Sequence, residues 1–345
     1  MKTLEIHGST GPSRILVGEN IRNAVSYLPD KAQVIIITDT NVRKLYQKDF
    51  PDAPVIEIGT GEGIKTLETV NEIFRQLLEM EADRSAFILG IGGGIVCDIT
   101  GFAASTYLRG VDFGFVSSTL LSQVDASVGG KNGVNFSGYK NMVGVFRQPD
   151  FVICDMNLLK TLPEREILCG FAEIVKHAAI ADSAMFGWME THWEKALSLD
   201  TDAIEKLVHD SVRIKSGIVN QDEKEKGERR KLNFGHTFGH AVEKITKIPH
   251  GQAVSIGMSV AAALSVRRGY LKSEDADRIR TLLTNLKLPT RISLDREKVL
   301  DALKKDKKRK GSSIHFVLLR HIGEAIVEEI RIKELEDVIH DMYQY

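Results

Sequence analysis

The sequence predicts an α/β protein in two parts, a parallel-sheet domain over residues 1–155 and a mostly α-helical domain over 156–345. Three observations carry this. Short apolar runs at 33–37 and 85–91 alternate with helical periodicity in the first part. A glycine cluster, Gly90-Ile91-Gly92-Gly93-Gly94, closes the second run. Beyond about Asp155 the strand pattern stops and helical stretches follow one another.

Residues 3–7 and 14–17 read as an N-terminal hairpin, turned by Gly8-Ser9-Thr10-Gly11-Pro12. The runs at 33–37 and 85–91 lack polar alternation, so both their faces are buried, as parallel strands require. Residues 64–80 place Leu67, Val70, Ile73, Phe74 and Leu77 at helical spacing, which predicts an amphipathic helix. Strands alternating with such helices form a parallel sheet covered on both faces. In the second part 164–180, 201–220, 236–245, 253–269 and 273–286 read as helices, with Ser273 and the acidic residues behind it as a helix entry. A last strand is expected at 313–319 and a C-terminal helix from Lys333.

Composition narrows the function classes. The hydrophobic fraction of 43% and charged fraction of 27% are those of a soluble globular protein. A formal net charge of −1 gives no global field toward nucleic acid or an anionic membrane, so neither is expected as a partner. An anionic ligand must instead be held by local lysine and arginine clusters. The least polar stretch, 253–266, carries Ser255, Ser259 and Ser265 and is too short to span a bilayer. The opening residues lack the basic-then-apolar pattern of a signal peptide. Cys97, Cys154 and Cys169 form no CxxC and cannot all pair. Free thiols in a cytoplasmic protein are expected.

Four groups of residues point to chemistry. The glycine turn, continuing to Asp98, lets backbone N–H groups approach a phosphate where a strand meets a helix. Its spacing is looser than GxGxxG, and a plain tight turn is the alternative. Asp39 and Asn41 follow the 33–37 strand, where a carboxylate accepts from ribose hydroxyls, and Gly61-Glu62-Gly63-Ile64-Lys65 adds a second polar loop. Together they favour a Rossmann-like nucleotide site. The second group, on a glycine-rich segment that packs poorly as core, is Asp125, Lys131 and Asn141. In the third, Glu173, Lys176 and His177 share a helix face, His236 and His240 share another, and His250 follows nearby. A carboxylate and two imidazoles suit Zn²⁺ or a similar divalent ion, although spacing alone does not choose among His177, His236, His240 and His250. The fourth group is cationic: Arg109, Lys215, Arg229 and the run at 304–310, most of which reads as a solvated loop.

The segments NFGHTFGHAVE with HGQAVSIGM, and QVDASVGGKNGVN with YKNMVGVFRQP, closely resemble the 3-dehydroquinate synthases of the sugar phosphate cyclase superfamily. The resemblance runs in order from about residue 38 to 319. It implies an NAD- and metal-dependent (Zn or Co) carbon–oxygen lyase of the shikimate pathway. The enzyme converts 3-deoxy-D-arabino-heptulosonate 7-phosphate, a sugar-acid phosphate, to 3-dehydroquinate and phosphate. By resemblance Glu173, His236 and His250 are the metal ligands. His240 then becomes a proton-transfer residue and Glu225 a second acid/base. The positions matching the NAD site are Asp39, Asn41, Glu62, Lys65, Gly93, Gly94, Asp98, Ser118, Thr119, Lys140 and Thr161. Those matching the substrate site are Arg109, Asp125, Lys131, Asn141, Lys176, Lys215, Arg229 and Asn233, with Lys307 chosen over Lys308. Lys176 is counted as catalytic as well. A homodimer is the family expectation. Ser118-Thr119 stands where Thr-Thr is common, Tyr139 where glycine is usual, and Cys169 where another small residue is frequent. These departures bear on cofactor affinity and leave every reacting group in place. The rival readings are a cyclase for a valiolone-type or amino-substituted ring, a metal- and NAD-dependent polyol dehydrogenase, and a non-enzymatic NAD-binding module.

Overall fold

The computed structural model describes residues 1–293, 298–299, 301, 309–310, 313–331 and 334. The chain divides into two compact units: Met1–Leu162 with Lys215–Lys224, and Pro163–Ile214 with Glu225–Tyr345. The expected boundary at 155 lies a few residues before the end of the first stretch, and the return of Lys215–Lys224 to the first unit was not anticipated. Its physical basis is polar. Asn220 Oδ1 accepts from His7 N at 2.9 Å, and Glu223 accepts from Ser9 N at 3.0 Å and Gln148 Nε2 at 3.2 Å.

In the first unit β1 (Lys2–Gly8) and β2 (Gly11–Val17) form the N-terminal hairpin, in register from Lys2↔Val17 to Gly8↔Gly11. Beyond it come β3 (Val34–Asp39), α1 (Thr40–Tyr46), β4 (Val55–Ile58), α2 (Leu67–Glu79), β5 (Phe87–Gly92), α3 (Gly94–Thr106), β6 (Asp112–Ser117) and, later, β9 (Phe151–Cys154). Between β6 and β9 lies an antiparallel hairpin, β7 (Lys131–Phe136) and β8 (Tyr139–Phe146). The main sheet has the order β1-β2-β9-β6-β5-β3-β4, parallel except for β1. Every residue of β5 and β9 is buried, which explains their unalternating sequences. Thr66 caps α2, whose Val70, Ile73 and Leu77 are buried on one stripe. The core under the sheet is closed by Phe87 and Phe151, stacked with ring centroids 5.8 Å apart.

From β3 the chain runs outward to β4 and then returns past β3 to β5, β6 and β9. The direction of winding reverses between β3 and β5. In open α/β sheets ligands settle outside the carboxyl ends of the strands at this switch point.

The second unit contains α4 (Glu164–Ala181), α5 (Ser183–Leu197), the first part of α6 (Thr201–Gln221), α7 (His236–Thr246), α8 (His250–Arg267) and α9 (Ser273–Asn285). A sheet of β10 (Arg309–Lys310), β11 (Ser313–His321) and β12 (Glu324–Arg331) accompanies them. Helix α4 is buried continuously from Ile167 to Ile180, charged residues included, which marks it as the central helix of this unit. The helix expected at 253–269 begins earlier, at His250, directly after Pro249. Neither α5 nor β12 was expected. The helix expected from Lys333 and the lysine choice at 307 lie outside the described residues. Among the described residues no helix is long and apolar enough to cross a membrane.

Candidate functional site

In the second unit, Glu173 and Lys176 sit one turn apart on α4 with 0% and 1% of their side chains exposed. Two ionised groups this deep persist only when paired, and the Lys176 ammonium contacts Glu173 Oε2. The other oxygen, Oε1, faces two imidazoles: His236 Nε2 at 3.5 Å and His250 Nε2 at 3.4 Å. The three donor atoms lie within 4.8 Å of one another. Tetrahedral ligands at about 2.1 Å from a divalent ion are about 3.4 Å apart, so the two oxygen–nitrogen separations are those of ligands sharing one ion. The donor set, one carboxylate oxygen and two imidazole nitrogens, fits Zn²⁺ or a chemically similar ion and leaves coordination positions for substrate oxygens.

Glycines hold the two histidines near each other. His236 opens α7 directly after Gly235, whose φ of 80° is left-handed, and His250 opens α8. A Cβ on Gly257 would lie 1.9 Å from Gly235 O and 2.9 Å from Gly239 N. A Cβ on Gly251, next to His250, would lie 2.4 Å from Cys169 Cα on α4. Bare backbone at these two positions lets α8 approach α7 and α4 closely enough for the ligands to meet.

Burial drives the His236 imidazole well below its ordinary pKa, keeping it neutral and able to donate a lone pair. Burial also presses His250 downward, but Glu173 and Glu243 outweigh it and hold the ring at about 9. That is the cation-like behaviour of an imidazole between two carboxylates, and a bound cation replaces the proton. The His240 ring lies 5.2 Å from His236 and 6.2 Å from His250, centroid to centroid. Asn233 Nδ2 donates to Glu225 Oε1, and Arg229 is buried in the same short helical segment, Glu228–Asn233.

In the first unit the residues expected around a nucleotide gather at the carboxyl ends of β3, β4, β5 and β6, on both sides of the switch point. Asp39 ends β3, Glu62 and Lys65 follow β4, Gly93 and Gly94 follow β5, and Ser118 and Thr119 follow β6. Gly93 caps α3 without a side-chain hydrogen bond, so the helix presents backbone N–H groups for a phosphate. Ser118 Oγ is buried with no hydrogen-bond partner among the described residues, a polar atom left for a ligand. Lys65 Nζ contacts Asp98 Oδ2 and donates to Asn141 Oδ1 at 2.5 Å. Burial raises the Asp98 carboxyl while the Lys65 charge opposes the rise. Glu62 accepts from Asn135 Nδ2 at 2.8 Å, lies 4.0 Å from Lys140 Nζ, and Asn135 Oδ1 accepts from Asn141 N at 2.9 Å. Thr161 Oγ1 is 2.5 Å from the Tyr46 hydroxyl. These groups are compatible with a dinucleotide laid across the switch point. Lys215 Nζ donates to Asp125 O at 2.6 Å and pairs with the Asp125 carboxylate.

Some expected residues stand differently. Asp39 Oδ1 caps α1, accepting from Asn41 N at 2.9 Å and Val42 N at 3.0 Å, so only Oδ2 is left for a ribose. Lys131, first residue of β7, is exposed. Arg109 is exposed and left-handed (φ 70°), and no described hydrogen bond or ion pair ties it to the other cations. Two residues at the sites had not been singled out. Asn135 links Glu62 to Asn141, and Glu243 faces His250 Nδ1 at 3.4 Å. The spacing of Glu243, seven residues after His236 on one helix face, was the available signal.

Comparison with known proteins places the chain in a family. The family model described as 3-dehydroquinate synthase N-terminal matches residues 55–169, and that described as 3-dehydroquinate synthase C-terminal matches 170–309. A 3-dehydroquinate synthase from Dehalococcoides mccartyi is 39% identical, with 99% of this chain and 100% of the relative covered. Among solved structures, a 2-deoxy-scyllo-inosose synthase complexed with carbaglucose-6-phosphate, NAD+ and Co2+ superimposes with a TM-score of 0.89 at 26% identity, covering 99% of this chain and 100% of the other. A 2-epi-5-epi-valiolone synthase from Streptomyces hygroscopicus subsp. jinggangensis 5008 with NAD+ and Zn2+ bound gives 0.87 at 27% identity, covering 96% of each chain.

Proposed function

We propose a function on one premise: the chain belongs to the 3-dehydroquinate synthase family. It converts 3-deoxy-D-arabino-heptulosonate 7-phosphate to 3-dehydroquinate and phosphate, as an NAD- and divalent-metal-dependent lyase. The observation that carries this reading is the single oxygen Glu173 Oε1 set 3.4–3.5 Å from two imidazole nitrogens, with Lys176 holding the carboxylate's other oxygen.

Glu173, His236 and His250 hold the ion, and the residues at the β3/β5 switch point hold the dinucleotide. When bound, NAD supplies reversible hydride uptake and the divalent ion supplies Lewis acidity toward a substrate hydroxyl. The chemical need is plain: the C–H beside the phosphate-bearing carbon becomes acidic only after the adjacent hydroxyl is oxidised. His240, one turn beyond His236 on α7, relays the hydroxyl proton. Glu225, oriented by the Asn233 amide, is the second acid/base group. Lys131, Asn141 and Lys307 bind the phosphate. The Asn141 amide oxygen is already taken by Lys65, so its NH2 serves the anion. Lys215, Arg229 and Asn233 bind the carboxylate end, and Arg109, Asp125 and Lys176 complete the substrate contacts. Ring closure within one bound chain needs no second reactant, which supplies the effective concentration for the aldol step.

Identity of 39% to a 3-dehydroquinate synthase, against 26–27% to cyclases making uncharged rings, supports the carboxylated substrate, as does the buried Arg229. The enzyme acts in the cytoplasm as a homodimer. The test is phosphate release from the heptulosonate phosphate beside heptulose phosphates lacking the carboxylate. Release from the former only, with no lasting NADH absorbance, is expected, and His236→Ala loses both activity and metal. Stoichiometric NADH without phosphate would identify a dehydrogenase instead.

A further inference from the structure

Both imidazoles that face Glu173 do so through Nε2, and in both the opposite nitrogen meets an acceptor. For His236 the acceptor is a backbone carbonyl, Phe234 O, 3.2 Å from Nδ1. For His250 it is a side chain, Glu243 Oε2, 3.4 Å from Nδ1. A neutral imidazole carries one N–H and one lone pair, and the hydrogen bond at one nitrogen decides which nitrogen has which. The carbonyl fixes this choice for His236 through the backbone. Among the described residues the acceptor at His250 Nδ1 is Glu243, which projects from α7 toward the first residue of α8 and is 14% exposed.

We propose that Glu243 is a positioning residue. Its carboxylate accepts the Nδ1 proton of His250, holding the ring with the Nε2 lone pair directed at the ion held by Glu173. The inference rests on the reading of Glu173, His236 and His250 as ligands. His240, Glu243 and His250 also bring donor atoms within 4.8 Å of one another, which raises a competing role for Glu243 as ligand to a second ion. That role would use both nitrogens of His250 as lone-pair donors and so strip the ring of its last proton. The geometry therefore points to the carboxylate–histidine arrangement, in which such a partner contributes about 10- to 100-fold in metal affinity.

Zinc titration calorimetry of the full chain, with a competing chelator, tests this. Wild type is expected to bind one equivalent. Glu243→Ala should bind one equivalent 10- to 100-fold more weakly, and Glu243→Gln, whose amide oxygen still accepts, should fall between them. Unchanged affinity in Glu243→Ala overturns the proposal. So does a wild-type stoichiometry of two that falls to one in Glu243→Ala, which would make Glu243 a ligand. Equal zinc binding by wild type and His236→Ala sinks the ligand reading itself, and the proposal with it, and is distinguished by leaving the His236 variant unaffected. A second readout does not depend on a Glu243 variant. In the zinc-loaded wild type a long-range proton–nitrogen NMR spectrum, with His250 assigned through His250→Gln, should place the ring proton on Nδ1. A proton on Nε2 overturns the proposal.

Discussion

Replacing Gly257 by alanine tests whether the close approach of α7 and α8 is what brings the ligands together. The added Cβ would lie 1.9 Å from Gly235 O, 2.8 Å from Gly235 C and 2.9 Å from Gly239 N. Carbon and oxygen that are not bonded rest at more than 3 Å, so the first turn of α7 must retreat by roughly 1 Å. The obstacle is backbone on both sides, which cannot rotate away as a side chain would. Overpacking of this kind costs about 1–3 kcal/mol, and two backbone contacts place it near the upper figure. At about 2–4 °C per kcal/mol for a unit of this size, the melting transition should drop by roughly 6–12 °C. His236 follows Gly235 directly, so the same displacement exceeds the ~0.2 Å tolerance of metal–ligand distances. Zinc affinity should therefore fall at least about tenfold. Circular dichroism melts and a chelator-competition titration measure both. Gly217→Ala is the control, because its Cβ meets nothing within 4 Å inside α6. Removing a helix-interior glycine there should stabilise the protein by up to about 1 kcal/mol. A Gly257→Ala protein that melts together with wild type and binds zinc equally would refute the packing argument.

Glu173→Gln removes the charge that Lys176 pairs with in a fully buried setting. It should cost about 3 kcal/mol by urea titration, whereas Glu173→Gln combined with Lys176→Met should recover most of that stability without restoring zinc binding. Lys65→Met should weaken NAD binding, read by protein fluorescence quenching. It should also let the Asp98 carboxyl, raised by burial, rise further. A carboxyl raised in the folded state stays protonated after the unfolded chain has released its proton. Stability is thus lost as pH climbs from the ordinary carboxyl range through the folded value. Urea midpoints at pH 5 and pH 8 should consequently diverge more in Lys65→Met than in wild type. Burial pushes the Cys97 thiol up to about 12, Cys169 to about 11 and Cys154 upward too, so none should react with a thiol reagent at pH 8 in the native protein, and all three should react in urea.

The parallel sheet was readable because its central strands are buried on both faces, which writes them as short apolar runs such as 87–92 with glycine at their ends. The hairpin β7–β8 was not, because Lys131, Asn132, Gly133 and Tyr139 to Asn141 carry the composition of a polar loop. Its strands are held by each other and by Asn135 and Asn141 rather than by an apolar stripe. Strand β12 was hidden by its charges: Glu324, Glu328, Glu329 and Arg331 leave only Ala325 and Ile330 buried, too few to show a period. The boundary was blurred because Lys215–Lys224 belongs to the first unit through Asn220 and Glu223, contacts more than two hundred residues distant in sequence that no local pattern reports.

The chemistry divided in the same way. Residue types announced a carboxylate–imidazole cluster, since Glu173, His236, His240 and His250 lie in short glycine-flanked segments. Spacing left the ligand pair open, because His236 and His240 share a helix face and the choice depends on which ring nitrogen meets Glu173 Oε1. That depends in turn on glycine contacts such as Gly257 on Gly235. Asp39 shows the opposite difficulty. Its position at a strand end marked it for a ribose, yet the same position makes it the natural cap of α1, and one oxygen serves that role.

X-ray absorption at the zinc edge of the loaded protein, beside His236→Ala and His250→Ala, tests the ion centre most directly. Two imidazole donors and oxygen donors at about 2.0–2.1 Å are expected, with one imidazole lost in each variant. A sulfur shell at about 2.3 Å, or an unchanged imidazole signal in both variants, would contradict it.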